Sequence, residues 1–457
     1  MIDIRTLENI LSDQAEEIAS KQQLTFCQRK EEELVDLDSP QAQVIIGVRR
    51  SGKSTLCYNV LQRAGVKYAY VNFDDERLAT LSVEELNNVL EALYKIYGKF
   101  NYLFIDEIQN IPGWYLFVNR LLRQNLHILI TGSNAKLLSG ELATHLTGRH
   151  HAITLYPFSF SEYCELKQID KQGRSTQAIA LRRAAFDDYI RQGGFPELQF
   201  LRYDRDYVDT LVDNILKRDI EQRFRITHQA SFEHLAQHLM NVAPAIITAK
   251  SLADTFAIGS EHTVKNYISY LMQAYLLIEL TKYSPKSRLR VTGKKVYPID
   301  VALMNKRRDA LVGDNWGWRL ESVVFIELLR RSRHNGWNLF YYNERAGECD
   351  FLVCCGNEVL QAIQVSYDIQ QPRTRKRELA GLQIVARKLR CTNLLLLTDH
   401  HYEDVTTEEG NIAIRPVYDK PHAPRLKYTS GGAQVLSSQE NKTTVREQPA
   451  VVQEPHQ

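Results

Sequence analysis

The sequence predicts an α/β protein whose first part is built on a parallel sheet. Three short apolar runs, which start at residues 44, 102 and 127, are rich in Val, Ile and Leu, and each ends in a polar loop. Segments with helical spacing lie between them. Strands that alternate with helices in this way form parallel sheets. The 457 residues are enough for two to four domains.

The loop after the first run has the spacing of a phosphate-binding loop. Residues 47–55, "GVRRSGKST", match G-x-x-x-x-G-K-[ST] between a strand and a helix. Its glycines let backbone N–H groups close round phosphates at a helix N-terminus. Lys53 would reach the β- and γ-phosphates of ATP, and the Ser54 hydroxyl would ligate Mg²⁺. The predicted nucleotide-binding residues here are Gly47, Val48, Arg49, Arg50, Ser51, Gly52, Lys53, Ser54 and Thr55.

Two acids follow the second run, where open α/β sheets bind their ligands. They are Asp106 and Glu107, in "YLFIDEIQN". We expect Asp106 to hold Mg²⁺ together with Ser54. Glu107 would polarise the attacking water, which predicts hydrolysis of ATP rather than binding alone.

Polar residues after the third run are candidates for contact with the γ-phosphate. Ser133 and Asn134 end the strand in "ITGSNAKLL", although Gly-Ser-Asn also favours a simple turn. Arg149 precedes the next apolar strand. It would act as an arginine finger in its own chain or towards a neighbouring subunit, and the alternative is a surface salt bridge.

The ordered set of motifs resembles the AAA-type ATPases of bacteria and archaea that carry a C-terminal domain of unknown function. The matching text includes "GVRRSGKST", "YVNFDDERL", "YLFIDEIQN", "ITGSNAKLL", "LTGR", "LYPFSFSEY", "GGFPE" and "ECDFLV". It covers most of residues 20–420. The resemblance implies an ATPase that uses ATP and Mg²⁺. The family's usual second serine after "TGS" is Asn134 here, so the sensor role stays open between Ser133 and Asn134.

Six segments are predicted along the chain. They are an N-terminal helical segment (1–40), the P-loop AAA core (41–160), a helical lid (161–231), a winged-helix-like domain (232–305), a restriction-endonuclease-like α/β domain (306–420) and a disordered tail (421–457). The tail is rich in Ser, Thr, Gln, Gly and Pro and has few aromatic residues.

The winged-helix-like domain contains the best local basic patch of the sequence. Its second helix carries Lys265, Asn266 and Tyr267, which would face a DNA groove. A β-hairpin at 282–295 follows, and double-stranded DNA is its candidate partner because six cations there would contact phosphates. Docking of a protein partner is the alternative. The six cations are Lys282, Lys286, Arg288, Arg290, Lys294 and Lys295.

The C-terminal domain resembles a PD-(D/E)xK nuclease whose active site is incomplete. Glu321 and Asp350 stand where the first acids of such a site are needed. The acid-x-lysine that should follow is Gln364-Val365-Ser366, so a metal ligand and the lysine are missing. We therefore expect a scaffold or docking domain rather than a metal-dependent nuclease.

Composition limits the classes of partner. The net charge of +2 argues against a strong global attraction to nucleic acid or anionic membrane. Seven cysteines lack paired C-x-x-C spacing, which suits a reducing cytoplasm. The N-terminus is polar and no apolar run reaches 18 residues, so no membrane span is expected. An ATP-driven switch acting on DNA is predicted, with a signalling-type switch on a protein partner or an ATP-gated nuclease as alternatives; an oligomer is compatible with each.

Overall fold

The computed structural model describes residues 2–21, 27–133, 145–200, 206–284, 293–304, 315–345 and 347–419, together with the backbone of 426–429 and 432–435. The chain divides into two compact units, residues 1–420 and 421–457. In the described part of the chain, no helix is long and apolar enough to cross a membrane.

A five-stranded parallel sheet forms the centre of the first domain, as the sequence predicts. Its spatial order is β2-β3-β4-β1-β5. All five residues of β1 are buried because the strand lies between β4 and β5 and has helices on both faces. The strands are β1 (Ala42–Ile46), β2 (Tyr68–Asn72), β3 (Tyr102–Asp106), β4 (His127–Gly132) and β5 (His150–Thr154).

Four helices pack around this sheet, and the first of them comes from the predicted N-terminal segment. The side-chain amide of Gln14 donates to the Asn72 carbonyl and to Asp75, each at 3.0 Å. The segment 1–40 is therefore tied to the edge of the AAA core by buried contacts. The helices are α1 (Ile4–Ser20), α2 (Lys53–Ala64), α3 (Leu86–Tyr97) and α4 (Trp114–Arg123).

The next segment is helical, as predicted for a lid. It contains α5 (Phe160–Leu166), α6 (Thr176–Gln192) and α7 (Tyr207–Asn214). Helix α5 starts with a capping box in which Ser159 and Glu162 satisfy each other's backbone N–H groups. Directly after α7, residues Ile215–Glu221 form a π-helix, a conformation that is frequent at functional sites.

Residues 229–298 fold as three helices and a small antiparallel sheet of order β6-β8-β7. The inward face of the third helix carries apolar residues at helical spacing, including Val264, Ile268 and Leu271. The elements are α8 (Gln229–Val242), β6 (Ala245–Ile247), α9 (Ala249–Thr255), α10 (Glu261–Gln273), β7 (Leu277–Leu280) and β8 (Lys294–Pro298).

The C-terminal part of the first unit is a second α/β structure with a six-stranded mixed sheet, of order β13-β14-β12-β11-β10-β9. Helix α12 covers a core that includes Leu352, Leu382 and Leu396. The elements are α11 (Trp316–Asn335), β9 (Asn338–Glu344), β10 (Gly347–Cys355), β11 (Glu358–Val365), α12 (Pro372–Leu389), β12 (Leu394–Thr398), β13 (Glu403–Thr407) and β14 (Gly410–Pro416).

The second unit contains one antiparallel hairpin. Strands β15 (Leu426–Thr429) and β16 (Gly432–Val435) pair within the segment predicted to be a disordered tail.

Candidate functional site

The loop between β1 and α2 has the backbone geometry of a phosphate-binding loop. Gly47 has φ 150°, and a Cβ added there would lie 2.1 Å from the Leu155 carbonyl oxygen. Gly52 has φ 93°, in the left-handed region, immediately before α2 begins. Gly47 is required because a Cβ would clash with Leu155, and Gly52 is favoured because of its left-handed φ.

The interior of this loop presents polar groups that suit a phosphate. The Lys53 ammonium is buried and donates to the Val48 carbonyl at 3.2 Å. Burial lowers its pKa, and the charges of Glu107 and Asp106 oppose that shift. The Ser51 hydroxyl is buried and has no hydrogen-bond partner in the described part of the chain. A buried hydroxyl without a partner is costly, so these groups fit an anionic ligand.

The predicted magnesium ligands lie side by side. Ser54 Oγ donates to Asp106 Oδ1 at 3.0 Å, and the Thr131 hydroxyl donates to the same oxygen. A hydroxyl next to a carboxylate supplies the oxygen ligands that Mg²⁺ prefers, so the residues present fit the ion. Beside them, Thr55 lines a small cavity of about 30 Å³ together with Tyr70.

The two adjacent acids have opposite pKa shifts. Burial, reinforced by the charge of Glu107, raises the pKa of Asp106. Burial would also raise the pKa of Glu107, but the charge of Lys53 and a hydrogen bond from Gln109 hold it below its ordinary value. Glu107 therefore stays ionised, as an acceptor for a water proton must be. We call Lys53, Ser54, Asp106 and Glu107 the P-loop pocket.

Ser133 contacts the predicted base. Its backbone N–H and its hydroxyl donate to Glu107 Oε2 at 3.3 and 3.1 Å. Asn134, the other sensor candidate, lies outside the described residues. Thr131 and Gln109 also bind the two acids. Both lie inside the quoted motifs, but sequence reasoning assigned neither of them a separate role.

Arg149 lies at the wrong edge of the sheet to complete the site of its own chain. Its carbonyl accepts from the Ala42 N–H at the start of β1, whereas the P-loop leaves the far end of that strand. Five strand residues separate the two edges by roughly 15 Å. The exposed Arg149 side chain donates to Asn119 at 3.2 Å. The prediction of a role in the same chain is therefore wrong, and a role towards a neighbouring subunit stays a prediction.

The two arginines of the loop bind acids from later parts of the chain. Arg49 forms two hydrogen bonds with Asp219 of the π-helix, at 3.1 and 3.0 Å. Asp219 is only 2 % exposed, whereas the neighbouring cations Lys217 and Arg218 are exposed. Arg50 pairs with Glu197 at 2.8 Å. The segment 161–231 therefore supplies two anions to the loop.

Arg29 supports the loop from behind and was missed because it lies outside any motif. Its buried guanidinium donates to the Ser51 carbonyl at 3.1 Å and to the Tyr156 carbonyl at 2.6 Å. It also pairs with Glu162 at 2.7 Å. Since each of its three nitrogens has an acceptor, Arg29 fixes the loop to α5 and to the end of β5.

The "GGFPE" loop has a structural explanation. Gly194 N–H donates to Asp300 at 2.9 Å, and its carbonyl accepts from Phe158 N–H at 2.7 Å. A Cβ on Gly193 would lie 2.0 Å from the Asp300 carboxylate. Burial raises the pKa of Asp300 to about 6. The paired glycines allow the segments around Phe158 and Asp300 to approach closely. Glu197 of the same loop reaches Arg50.

A second lysine–carboxylate cluster lies between β8, α11 and β10. Lys295 Nζ is 2.5 Å from Glu321 Oε1 and 3.4 Å from Asp350 Oδ1. The Tyr297 hydroxyl donates to the same Glu321 oxygen at 2.8 Å. We call these four residues the Lys295 pocket. Sequence reasoning found its two acids but missed its lysine, which comes from the preceding domain.

The remaining positions of the predicted nuclease-like site point elsewhere. Gln364 accepts from the Asp350 N–H at 3.2 Å and donates to Glu378 at 2.7 Å. The Ser366 hydroxyl donates to the Asp368 carbonyl at 3.3 Å. Neither side chain is directed to the space between Glu321 and Asp350.

The basic hairpin has fewer free charges than the sequence suggests. Lys294 pairs with Glu279 at 2.5 Å, and Lys295 is enclosed in its pocket. Both cations are thus paired with acids that residues 282–295 lack, supplied by β7, α11 and β10, and their contact with DNA phosphates stays a prediction. Lys282 forms a backbone bridge to β9, while Lys286, Arg288 and Arg290 lie outside the described residues. Tyr267 is also withdrawn from any groove, because it packs on Phe232.

Comparisons with known proteins agree with the geometry of the P-loop pocket. Residues 39–164 match the family model of an AAA domain, and residues 183–311 match a domain of unknown function (DUF8612). A Walker-type ATPase of Pyrococcus abyssi is 14% identical, with 61% of this chain and 95% of that chain covered and a TM-score of 0.40. Residues 39–164 are thus similar to an AAA domain.

Two full-length relatives extend the similarity over most of the chain. An uncharacterized protein of Methanocaldococcus jannaschii is 31% identical over 80% of this chain and 84% of its own length. An uncharacterized protein of Haemophilus influenzae is 30% identical over 84% of this chain and 94% of its own length. The chain belongs to the same family as these two proteins.

Proposed function

We propose that this protein hydrolyses ATP with Mg²⁺ and uses the reaction to change the contacts between its P-loop and its lid. The observation that carries the proposal is the convergence of Lys53, Ser54, Asp106 and Glu107 at one edge of the sheet. Lys53 and Glu107 have the buried, charged environment that the reaction needs, and Ser54 and Asp106 supply adjacent oxygen ligands.

Each residue of the pocket has a separate task. Bound ATP–Mg²⁺ supplies the phosphoryl group and the metal charge. Lys53 neutralises charge that develops on the phosphates, and Ser54 and Asp106 orient the ion. Glu107 accepts a hydrogen bond from the attacking water. Hydrogen bonds from Ser133 and Gln109 hold the Glu107 carboxylate in position for this.

The pair between Arg49 and Asp219 supports conformational coupling. Arg49 belongs to the phosphate-binding loop, so a γ-phosphate and the Asp219 carboxylate compete for one guanidinium. Binding of ATP would weaken this pair and release the π-helix. Loss of the γ-phosphate would restore the Arg49–Asp219 pair. The chain would then have two conformational states, one with the pair broken and ATP bound, and one with the pair formed after hydrolysis.

Steady-state ATP hydrolysis tests the proposal. Lys53→Ala should lower turnover by about a thousandfold or more, because the charge on the phosphates loses its fixed cation. Lys67→Ala is the matched control, since Lys67 is an exposed lysine just after α2. Wild-type protein without Mg²⁺-dependent hydrolysis, or Lys53→Ala with normal turnover, would refute an ATPase function.

We further propose that the ATP-driven conformational change is coupled to the binding of double-stranded DNA. The order α8-β6-α9-α10-β7-β8 with its three-stranded antiparallel sheet supports a winged-helix domain. On α10, Lys265 is exposed and Asn266 is partly exposed, so the outward face of that helix suits a groove. DNA should stimulate hydrolysis, and the effect should fade with salt and with Lys265→Ala, but not with Lys250→Ala on α9.

A protein partner is the second candidate, and one observation favours it. Two of the six hairpin cations are neutralised within the fold by Glu279 and by the Lys295 pocket. A surface with fewer free charges contributes less to phosphate binding. Hydrolysis that is indifferent to DNA at low salt would reject the DNA proposal in favour of this candidate.

A further inference from the structure

The Lys295 pocket has the acids of a metal-dependent nuclease but is already filled by a cation of the chain itself. The Lys295 ammonium lies between Glu321 and Asp350 and binds both carboxylates. The side chains of these three residues are 14%, 12% and 12% exposed, so little water screens their charges. A divalent ion placed between the same two carboxylates would meet this ammonium.

The protonation state of Lys295 supports its role as a cation. Burial acts to lower its pKa, but the charges of Asp350 and Glu321 more than compensate and hold the pKa above its ordinary value. The ammonium also lies 5.7 Å from the centre of the Tyr297 ring, within reach of a cation–π contact. Lys295 therefore stays charged under ordinary conditions.

The surrounding ligands do not fit a metal ion. Asp350 Oδ2 accepts from the Val365 N–H at 3.0 Å, and the Gln364 oxygen accepts from the Asp350 N–H. In the described part of the chain, no three His, Cys, Asp or Glu side chains converge in a metal-binding group. The residues that a nuclease-like fold would use for Mg²⁺ are thus engaged with the protein.

We propose that Lys295 replaces the divalent cation of a nuclease-like site, and that the pocket is a metal-independent clamp between the three-stranded and six-stranded sheets. Lys295 is in β8, while Glu321 and Asp350 belong to α11 and β10, so one ammonium joins three elements.

Backbone hydrogen bonds beside the clamp also join the segment after β7 to β9 of the six-stranded sheet. Tyr283 N–H donates to the Tyr341 carbonyl at 2.7 Å, and Tyr341 N–H donates to Thr281 at 3.1 Å. The Tyr297 ring stacks on Phe325 at 4.1 Å, which closes the apolar side of the pocket. These contacts place the clamp at the junction of the two sheets, where it holds β8 against α11 without a metal ion.

The clamp is tested by removal of its cation and addition of Mn²⁺. All proteins carry Asp106→Asn, which removes the metal ligand of the P-loop pocket, and are studied without nucleotide at pH 8. Mn²⁺ binding is measured by calorimetry, and thermal unfolding is followed with and without Mn²⁺. The parent is compared with Lys295→Ala, with Glu321→Gln and with the double variant Lys295→Ala, Glu321→Gln.

We expect the parent to bind no Mn²⁺ at this pocket. Lys295→Ala should bind one equivalent that the parent does not bind, because two carboxylates with little solvent exposure have lost their cation. Mn²⁺ should raise its unfolding temperature. The double variant should lose most of this response, since one carboxylate has been neutralised.

Two results would overturn the proposal. One is a parent protein that binds one Mn²⁺ equivalent which Glu321→Gln abolishes, because the pocket would then be a metal site despite the lysine. The other is a folded Lys295→Ala protein that gains no Mn²⁺ affinity. If Lys295→Ala does not fold, the comparison of the parent with Glu321→Gln still decides: equal Mn²⁺ binding supports the clamp, and a lost equivalent contradicts it.

Discussion

The P-loop pocket and the Lys295 pocket contain the same charges in different arrangements. Each has one buried lysine and two carboxylates. In the first, Lys53 donates to the Val48 carbonyl, and Asp106 is bound by hydroxyl groups. In the second, Lys295 binds both carboxylates directly.

This difference decides what each pocket can accept. In the P-loop pocket, Lys53 is held by a backbone carbonyl and does not bind Asp106. The Asp106 carboxylate can therefore bind a cation, and the Lys53 charge can bind an anion. A lysine placed on the carboxylates satisfies all three groups within the protein. The residue types alone do not distinguish a binding site from an internal ion pair, but the hydrogen-bond partners of the lysine do.

The largest expected difference between the two pockets is in ATP turnover after substitution of their glutamates. Glu107→Gln should lower ATP turnover by about a hundredfold to ten-thousandfold while the variant still binds ATP, because the water loses its charged acceptor. Glu321→Gln should leave turnover within about twofold of wild type, since that carboxylate serves only the clamp. Steady-state hydrolysis and nucleotide-binding assays measure both. Normal turnover by Glu107→Gln would show that another group positions the water.

The aspartates should differ in the same way in their response to Mg²⁺. Asp106→Asn should raise the Mg²⁺ concentration for half-maximal turnover by about tenfold or more, because the ion loses a charged ligand. Asp350→Asn should leave that concentration unchanged. Titration of turnover with Mg²⁺ makes the comparison, and a matching shift in Asp350→Asn would mean that the pockets are coupled or that Asp350 binds metal.

The protonation of Glu321 in the Lys295 pocket should make the unfolding free energy depend on pH. Burial, with the nearby charge of Asp350, raises the pKa of Glu321 from 4.5 to about 7. Between these values the folded chain holds a proton that the unfolded chain has lost, so the unfolding free energy falls as pH rises. Glu321→Gln should remove up to about 1.4 kcal/mol per pH unit of this slope in that window.

Urea unfolding at several pH values from 4.5 to 8 measures the slope. The exposed neighbour Glu348 gives the control, and Glu348→Gln should keep the wild-type profile. An unchanged slope in Glu321→Gln would show that the proton is bound elsewhere, Asp300 being the next group to examine because burial also raises its pKa.

The smallest effect concerns the lid. Asp219→Asn should tighten ATP binding by about fivefold, because the γ-phosphate no longer competes with the Asp219 carboxylate for Arg49. Asp213→Asn, at an exposed position on α7, should have no such effect. Equilibrium binding of a fluorescent ATP analogue measures the difference. Weaker binding by Asp219→Asn would indicate that Asp219 orders the loop for the nucleotide instead of competing with it.

The parallel sheet and the P-loop pocket were predictable because their signals are local. Strand, glycine loop and helix follow one another within residues 42–64, and Asp106 and Glu107 directly end the next predicted strand. Backbone geometry alone then brings the ends of neighbouring parallel strands together.

Three of the ion pairs that were missed join residues far apart in sequence. Arg29 binds Glu162, Arg49 binds Asp219, and Lys295 binds Asp350. No spacing rule relates such partners, since their contact depends on how whole elements pack. For the same reason the basic hairpin was overestimated: the acid that neutralises Lys294 lies on the partner strand, at Glu279.

The clamp also bears on how this chain can be divided. A fragment cut at residue 306, or at the end of the matched segment at 311, would keep Glu321 and Asp350 but lose Lys295. Two buried acids would then face each other without a counter-charge, which disfavours folding. A fragment that keeps the pocket and both of its sheets has to start before β6 and run through β14. Truncation or recombination inside that range should separate the lysine from its acids.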